Sequence, residues 1–145
     1  MPTAIPDRIV SRPALLIDDN DDYAAMLLDH LIPRGFHFDR ACNAREGIQV
    51  VRQAGVSAFE LIVTDITMDG HTAGLRLIRK VRREGYRGVL IVASTGFDFP
   101  LVLHLSRPVL NLWGVDALVP KEPLKRGRFE CLAISSLGKR FLTGG

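Results

Sequence analysis

Five short runs of apolar and β-branched residues, at positions 14–17, 36–41, 61–64, 89–93 and 115–119, recur at intervals of about 20 to 28 residues. Helix-period segments lie between them. Over 22–32, Tyr23, Leu27 and Leu31 fall one turn apart; over 44–54, Asn43 stands before the helix with Glu46 three residues on, a capping-box arrangement; over 75–83, Leu75, Ile78 and Arg82 keep step. The strand runs are continuously apolar, not alternating, which is the pattern of strands buried on both faces. Strands alternating with helices then predict a parallel α/β sheet. At this size the expected form is a five-stranded, doubly wound sheet in the order 2-1-3-4-5, with its ligand site at the carboxyl ends of strands 1 and 3, where the winding reverses. A last helix is predicted over 123–141, weakened by Gly127 and Gly138.

The 145 residues suit one domain, and 47% hydrophobic with 24% charged residues is the composition of a folded chain. Cys42 and Cys131 form no CxxC pair, so neither a disulfide framework nor a cysteine-rich zinc site is expected, and a reducing, cytoplasmic setting fits. The opening MPTAIPDRIVSRP lacks the apolar core of a signal peptide, and no run of about 18 apolar residues occurs, so neither export nor membrane insertion is expected. The net charge of +3 is spread among acids except near the C-terminus, in KEPLKRGR and GKR. Charges so distributed read as a solvated face, and no direct DNA binding is expected.

The two loops at the predicted switch point begin LLIDDNDD and LIVTDITMDG. A nucleotide phosphate would want glycine-rich or hydroxyl-rich backbone there. Carboxylates about 4 Å apart instead repel by several kcal/mol at an intermediate dielectric, so Asp18, Asp19 and Asp65 together require a cation. All-oxygen ligation with room for water suits Mg²⁺, which in open sites is accompanied by a phosphoryl group. Lys121, just past the fifth strand, supplies a positive charge at the same rim, and Thr95, ending the fourth strand beside Ser94, supplies a hydroxyl. The pocket reads as a phosphoryl-transfer site.

With these four separated motifs the chain resembles a response-regulator receiver domain of bacterial two-component signalling, of the stand-alone, single-domain type. The resemblance spans residues 13–142, with 1–12 as an N-terminal extension and 13–145 as the receiver domain. It implies a flavodoxin-like receiver fold. It also implies that Asp18 and Asp19 hold Mg²⁺, with Asp65 and the backbone carbonyl of Thr67 as further ligands. Asp65 would accept phosphate from a phosphohistidine, and Thr95 and Lys121 would contact the phosphoryl oxygens. The implied partners are a histidine kinase or histidine phosphotransfer protein and a downstream protein target. No enzymatic turnover is implied beyond self-phosphorylation and autodephosphorylation.

The chain departs from that family in several places. Asp69 stands where proline often follows the methionine, Gly74 comes one residue late, and Leu118 replaces a frequent aromatic of strand 5. Glu122 separates Lys121 from Pro123. The segment GFDFPLVLHLSRPVLNLWG, residues 96–114, is long and apolar, and Pro108 must break or kink a helix crossing it. Leu101, Leu103, Leu105, Leu110, Leu112 and Trp113 are too many for one narrow stripe. Either the region 96–119 meets a partner or a second copy, as a homodimer contact, or it packs around an irregular connection.

Competing readings of the same residues are weaker. A calcium loop starting at Asp65 would need an acid or amide at Thr67 and a bidentate glutamate at Arg76. A dehalogenase-type phosphatase would need an acid at Thr67. His30, His37, His71 and His104 show no ligand spacing, and Asp21 and Asp22 read as acids favouring a helix N-terminus. A receiver-fold scaffold or dimerisation module that binds partners without phosphotransfer stays open, although a scaffold has no physical need for three clustered acids facing a lysine.

Overall fold

In the computed structural model, which describes residues 11–65, 73–94 and 107–143, strands and helices alternate along the described residues. The elements are β1 (Arg12–Ile17), α1 (Asp21–Leu31), β2 (Phe36–Ala41), α2 (Ala44–Ala54), β3 (Leu61–Asp65) and α3 (Ala73–Arg83). They continue with β4 (Val89–Ser94), α4 (107–112), β5 (Ala117–Pro120), α5 (Lys121–Lys125), β6 (Leu132–Ala133) and α6 (Ser136–Thr143). The sheet order is β2-β1-β3-β4-β5-β6. Its first five strands are parallel, in the expected 2-1-3-4-5 order, and the two-residue β6 adds a sixth, antiparallel to β5.

Successive strand residues point to opposite faces, and both faces are covered. Leu15, Ile17, Ile62, Leu90, Val92 and Leu118 pack against Val51 of α2, Leu77, Ile78 and Val81 of α3 and Leu110 of α4. Ala14, Leu16, Leu61, Val63, Ile91 and Val119 pack against Ala24, Leu27 and Leu31 of α1 and Leu124 of α5. Two-sided burial is therefore why the runs of the inner strands β1, β3, β4 and β5 are continuous, whereas the edge strand β2, FHFDRA, buries only Phe36 and Ala41. The helix starts are capped as their sequences direct. Asn20 Oδ1 accepts from Tyr23 N at 3.0 Å, and Asn43 Oδ1 accepts from Glu46 N at 2.8 Å while Glu46 Oε1 takes Cys42 N.

The last segment corrects the sequence reading. No continuous helix spans 123–141: α5 closes after five residues, where Gly127 adopts φ +75°. The Gly127 and Arg128 amides donate back to the Leu124 and Pro123 carbonyls at 3.0 and 2.9 Å, the paired bonds of a Schellman motif, and the chain leaves the helix. It returns as β6, and α6 starts anew with Ser135 Oγ accepting from Gly138 N at 3.1 Å. Gly138 lies against the Asp116 backbone carbonyl, where a Cβ has no space. Both glycines thus serve the break and the return, not a weak helix.

Within the apolar segment, Pro108 sits in the first turn of α4, where a missing N–H costs nothing. Leu110 is buried, Trp113 is half-buried, and Leu112 is 83% exposed. Leu101, Leu103 and Leu105 lie outside the described residues. No helix among the described residues is long and apolar enough to cross a membrane.

At the amino ends of β4 and β5 an ion pair between a half-buried arginine and a buried aspartate ties the layers together. Arg82 Nη2 lies 2.7 Å from Asp116 Oδ2, and the guanidinium also donates to the Gly114, Tyr86 and Gly88 carbonyls. Asp116 in turn accepts from Leu90 N at 2.8 Å and from Ser135 Oγ at 2.6 Å. One node thus joins α3, β4, β5 and the turn into α6.

Candidate functional site

The parallel strands deliver their carboxyl ends to one rim, and each last apolar residue is followed by a polar one. Asp18 follows Ile17 of β1, Asp65 ends β3, and Lys121 follows Pro120 of β5 as the first residue of α5. All three are buried, Asp18 completely and Lys121 to within 3% exposure. Lys121 Nζ stands 3.2 Å from Asp18 Oδ2 and 3.2 Å from Asp65 Oδ2, bridging strands from both halves of the fold. Asp19 is exposed beside them, and one carboxylate oxygen from each of Asp18, Asp19 and Asp65 lies within 4.8 Å of the others. The acids and the lysine named from the sequence therefore meet. Thr67 and Thr95 lie outside the described residues, as do Asp69 and His71.

The acid loop is held by its own backbone. Asp18 Oδ1 accepts from Asn20 N at 2.9 Å, and the Asp18 carbonyl accepts from Arg40 Nε and Nη2 at 3.2 and 2.8 Å. Arg40 also reaches Asp21 Oδ1 with Nη1 at 2.8 Å. Burial pushes the Asp18 carboxyl above its ordinary pKa and the nearby Asp65 adds to the rise; the Asn20 amide and the Lys121 ammonium pull the other way without cancelling it. Asp18 Oδ2, although 3.2 Å from Lys121 Nζ, receives no directed hydrogen bond. The contact is ionic, and it leaves an acceptor lone pair inside the protein unused.

Those features fit a divalent cation. Two buried carboxylates and one exposed one face a single buried ammonium, so the cluster carries more negative than positive charge. An oxygen with no directed donor is a ready ligand for a hard cation, and Asp18, Asp19 and Asp65 offer the all-oxygen set that Mg²⁺ prefers.

Two residues at this rim were not singled out from sequence. Tyr23, grouped by periodicity with Leu27 and Leu31, places its ring centroid 4.4 Å from Lys121 Nζ. Arg40 is one of several polar residues in β2, and only the β1–β2 register, which sets it opposite Leu16, carries it to the acid loop. Neither contact has a signature along the chain. The histidines take the ordinary roles expected where they are described: His30 stacks on Phe129 at 5.2 Å, and His37 shares a hydrogen bond with Ser11.

No protein-family model matches the chain, and no curated protein matches its sequence. Solved structures do match. The Francisella response regulator 1452 receiver domain is 17% identical, with a TM-score of 0.65 over 92% of this chain and 96% of that one. The chemotaxis response regulator CheY4 of Vibrio cholerae is 18% identical, with a TM-score of 0.62 over 81% and 99%. The response regulator TrrA of Thermotoga maritima, solved with Mg²⁺ and BeF, is 22% identical, with a TM-score of 0.59 over 81% and 99%. The chain has the α/β receiver fold of response regulators.

Proposed function

We propose that this protein is a phosphoacceptor response regulator of a two-component or phosphorelay system, accepting a phosphoryl group from a phosphohistidine onto Asp65. The observation that carries this reading is the junction of Asp18, Asp65 and Lys121 at the carboxyl rim, two buried acids sharing one buried ammonium at 3.2 Å each. A buried acid pair costs stability unless it is used, and phosphoryl transfer uses it.

A carboxylate oxygen of Asp65 attacks phosphorus in line while the bond to the donor imidazole breaks, giving an aspartyl phosphate that water later hydrolyses. Lys121 neutralises charge on the phosphoryl oxygens from a fixed position, and Thr95 donates its hydroxyl to them. Asp18, Asp19, Asp65 and the Thr67 carbonyl would hold Mg²⁺, whose positive charge would let an anionic donor approach an acidic pocket. Because the loop carrying Asp18 is pinned through Arg40 and Asn20, the acids are arranged before the donor arrives. The phosphoryl group adds close to two negative charges, and its signal passes to a downstream protein. A histidine kinase or histidine phosphotransfer protein is the donor, in the cytoplasm.

The test is incubation with Mg²⁺ and acetyl phosphate followed by intact mass. The expected result is one base-labile phosphoryl group on the wild type and none on Asp65→Asn. No adduct on the wild type, or an undiminished one on Asp65→Asn, overturns the reading and leaves the scaffold alternative.

A further inference from the structure

Tyr23 behaves unlike its helical neighbours. Leu27 and Leu31 of the same stripe are fully buried in the core, whereas Tyr23 is half-buried and turned to α5. Its ring centroid is 4.4 Å from Lys121 Nζ and 6.0 Å from Lys125 Nζ, one turn further along. Tyr23 and Glu122 together hold the Lys125 ammonium above the ordinary lysine pKa. One aromatic side chain on α1 thus meets two successive cations of α5.

Resting on the phosphoacceptor reading of Asp65, we infer that Tyr23 is a positioning residue for the reaction: its ring face holds the Lys121 ammonium at the rim where the phosphoryl oxygens arrive. An ammonium on a four-carbon stem is a mobile point charge with three rotatable donors. Here two carboxylates compete for it at the same 3.2 Å, so the ion pairs alone do not select one position. The ring provides a third anchor of a different kind. Its attraction comes from the fixed quadrupole of the π-system, strongest where water is excluded, and Lys121 is buried. Metal ligation changes the charge on Asp18 and Asp65, and phosphorylation moves charge from Asp65 outward onto the phosphoryl oxygens. Neither event alters the ring. Tyr23 therefore keeps the ammonium in place while its carboxylate partners change, and so shortens the search for the transition-state oxygens.

The test compares Tyr23→Leu and Tyr23→Phe with the wild type in the acetyl phosphate reaction under excess Mg²⁺, with thermal unfolding and Mg²⁺ titration run on each. Tyr23→Leu is expected to slow phosphorylation by about 3- to 30-fold, the range of a partly to fully desolvated cation–π contact, with folding and Mg²⁺ binding retained. Tyr23→Phe keeps the ring face and is expected to recover most of the lost rate. A wild-type rate in Tyr23→Leu overturns the inference, and so does a Tyr23→Phe as slow as Tyr23→Leu, which would assign the effect to the hydroxyl. A second measurement needs no phosphate: a double-mutant cycle of Tyr23→Leu with Lys121→Met in urea unfolding. The expected coupling is about threefold or more in the unfolding constant, and additivity overturns the contact. If the wild type takes no phosphate while the cycle remains coupled, the phosphoacceptor reading falls and the hold of Tyr23 on Lys121 stands, so the two failures are distinguishable.

Discussion

The same parallel sheet carries a buried charge cluster at each end, and the two are built on opposite plans. At the amino ends of β4 and β5, Arg82 and Asp116 form a closed set: the guanidinium donates to three backbone carbonyls besides the carboxylate, and both carboxylate oxygens have donors. At the carboxyl ends of β1, β3 and β5, two buried acids share the Lys121 ammonium, and Asp18 Oδ2 has no directed donor. The difference separates a cluster whose polar atoms all have partners from one that keeps a buried carboxylate oxygen without a directed donor. Buried polar networks stabilise when every member is satisfied; an incomplete one is expected where a ligand completes it.

The largest effect should come from opening the closed set. Asp116→Ala leaves the Arg82 guanidinium beside the core without its counter-charge and takes the acceptor from Leu90 N and Ser135 Oγ. A loss of about 3–5 kcal/mol is expected in urea unfolding, the usual cost of removing one partner of a buried pair. A loss below about 1 kcal/mol, the scale of an exposed pair, would erase the contrast between the two ends.

The carboxyl-end cluster should respond in the opposite sense. Mg²⁺ at about 100 times its dissociation constant is expected to stabilise the wild type by about 2.7 kcal/mol, seen as a rise in melting temperature that Asp18→Asn abolishes. In metal-free buffer, Asp18→Asn itself is expected to stabilise, by about 1–3 kcal/mol, because it removes a fully buried negative charge that burial penalises and Asp65 repels. The pH dependence has a definite sign. The folded-state pKa of Asp18 is raised above the ordinary 3.8, so the folded protein binds that proton more tightly than the unfolded chain does. The ionised carboxylate then costs stability, absent below 3.8 and growing as pH rises towards the folded-state value. The advantage of Asp18→Asn should therefore grow with pH across that window and level off above it. Guanidinium unfolding at a series of pH values measures it, and an advantage that shrinks with rising pH would contradict the burial of an under-satisfied acid.

The two clusters also differ in how far the chain announces them. Asp18, Asp65 and Lys121 each end or follow a continuous apolar run, so their place at one rim follows from the parallel topology those runs dictate. Asp116 was equally visible, an acid inside the run 115–119, and its partner Arg82 keeps step with Leu75 and Ile78, but nothing along the chain pairs the two: only the packing of α3 on the sheet does. Tyr23 and Arg40 are hidden for the same reason: the first depends on α1 lying against α5, the second on the register of β1 with β2. The end of α5 was half-legible. Gly127 marks a break, but β6 is two residues whose strand character comes from β5, not from any pattern of their own.

The smallest effect tests whether the closed set also holds the C-terminal segment. Ser135 Oγ donates to Asp116 Oδ1 and accepts from Gly138 N, so it joins the node to the first turn of α6. Ser135→Ala removes both contacts and leaves the Arg82 pair intact, and should cost about 1 kcal/mol, the usual value of a helix cap. The native thiols report where that loss falls. Cys42 is exposed, whereas Cys131, immediately before β6, is half-buried and burial pushes its thiol up to about 12. At pH 8 a disulfide reagent should label Cys42 first, and Cys131 only through local opening. Since opening is governed by the free energy of the segment, about 1 kcal/mol should speed Cys131 labelling roughly fivefold in Ser135→Ala and leave Cys42 unchanged. Equal acceleration of both thiols would mean the whole fold had loosened, and no acceleration would detach β6 and α6 from the amino-end cluster.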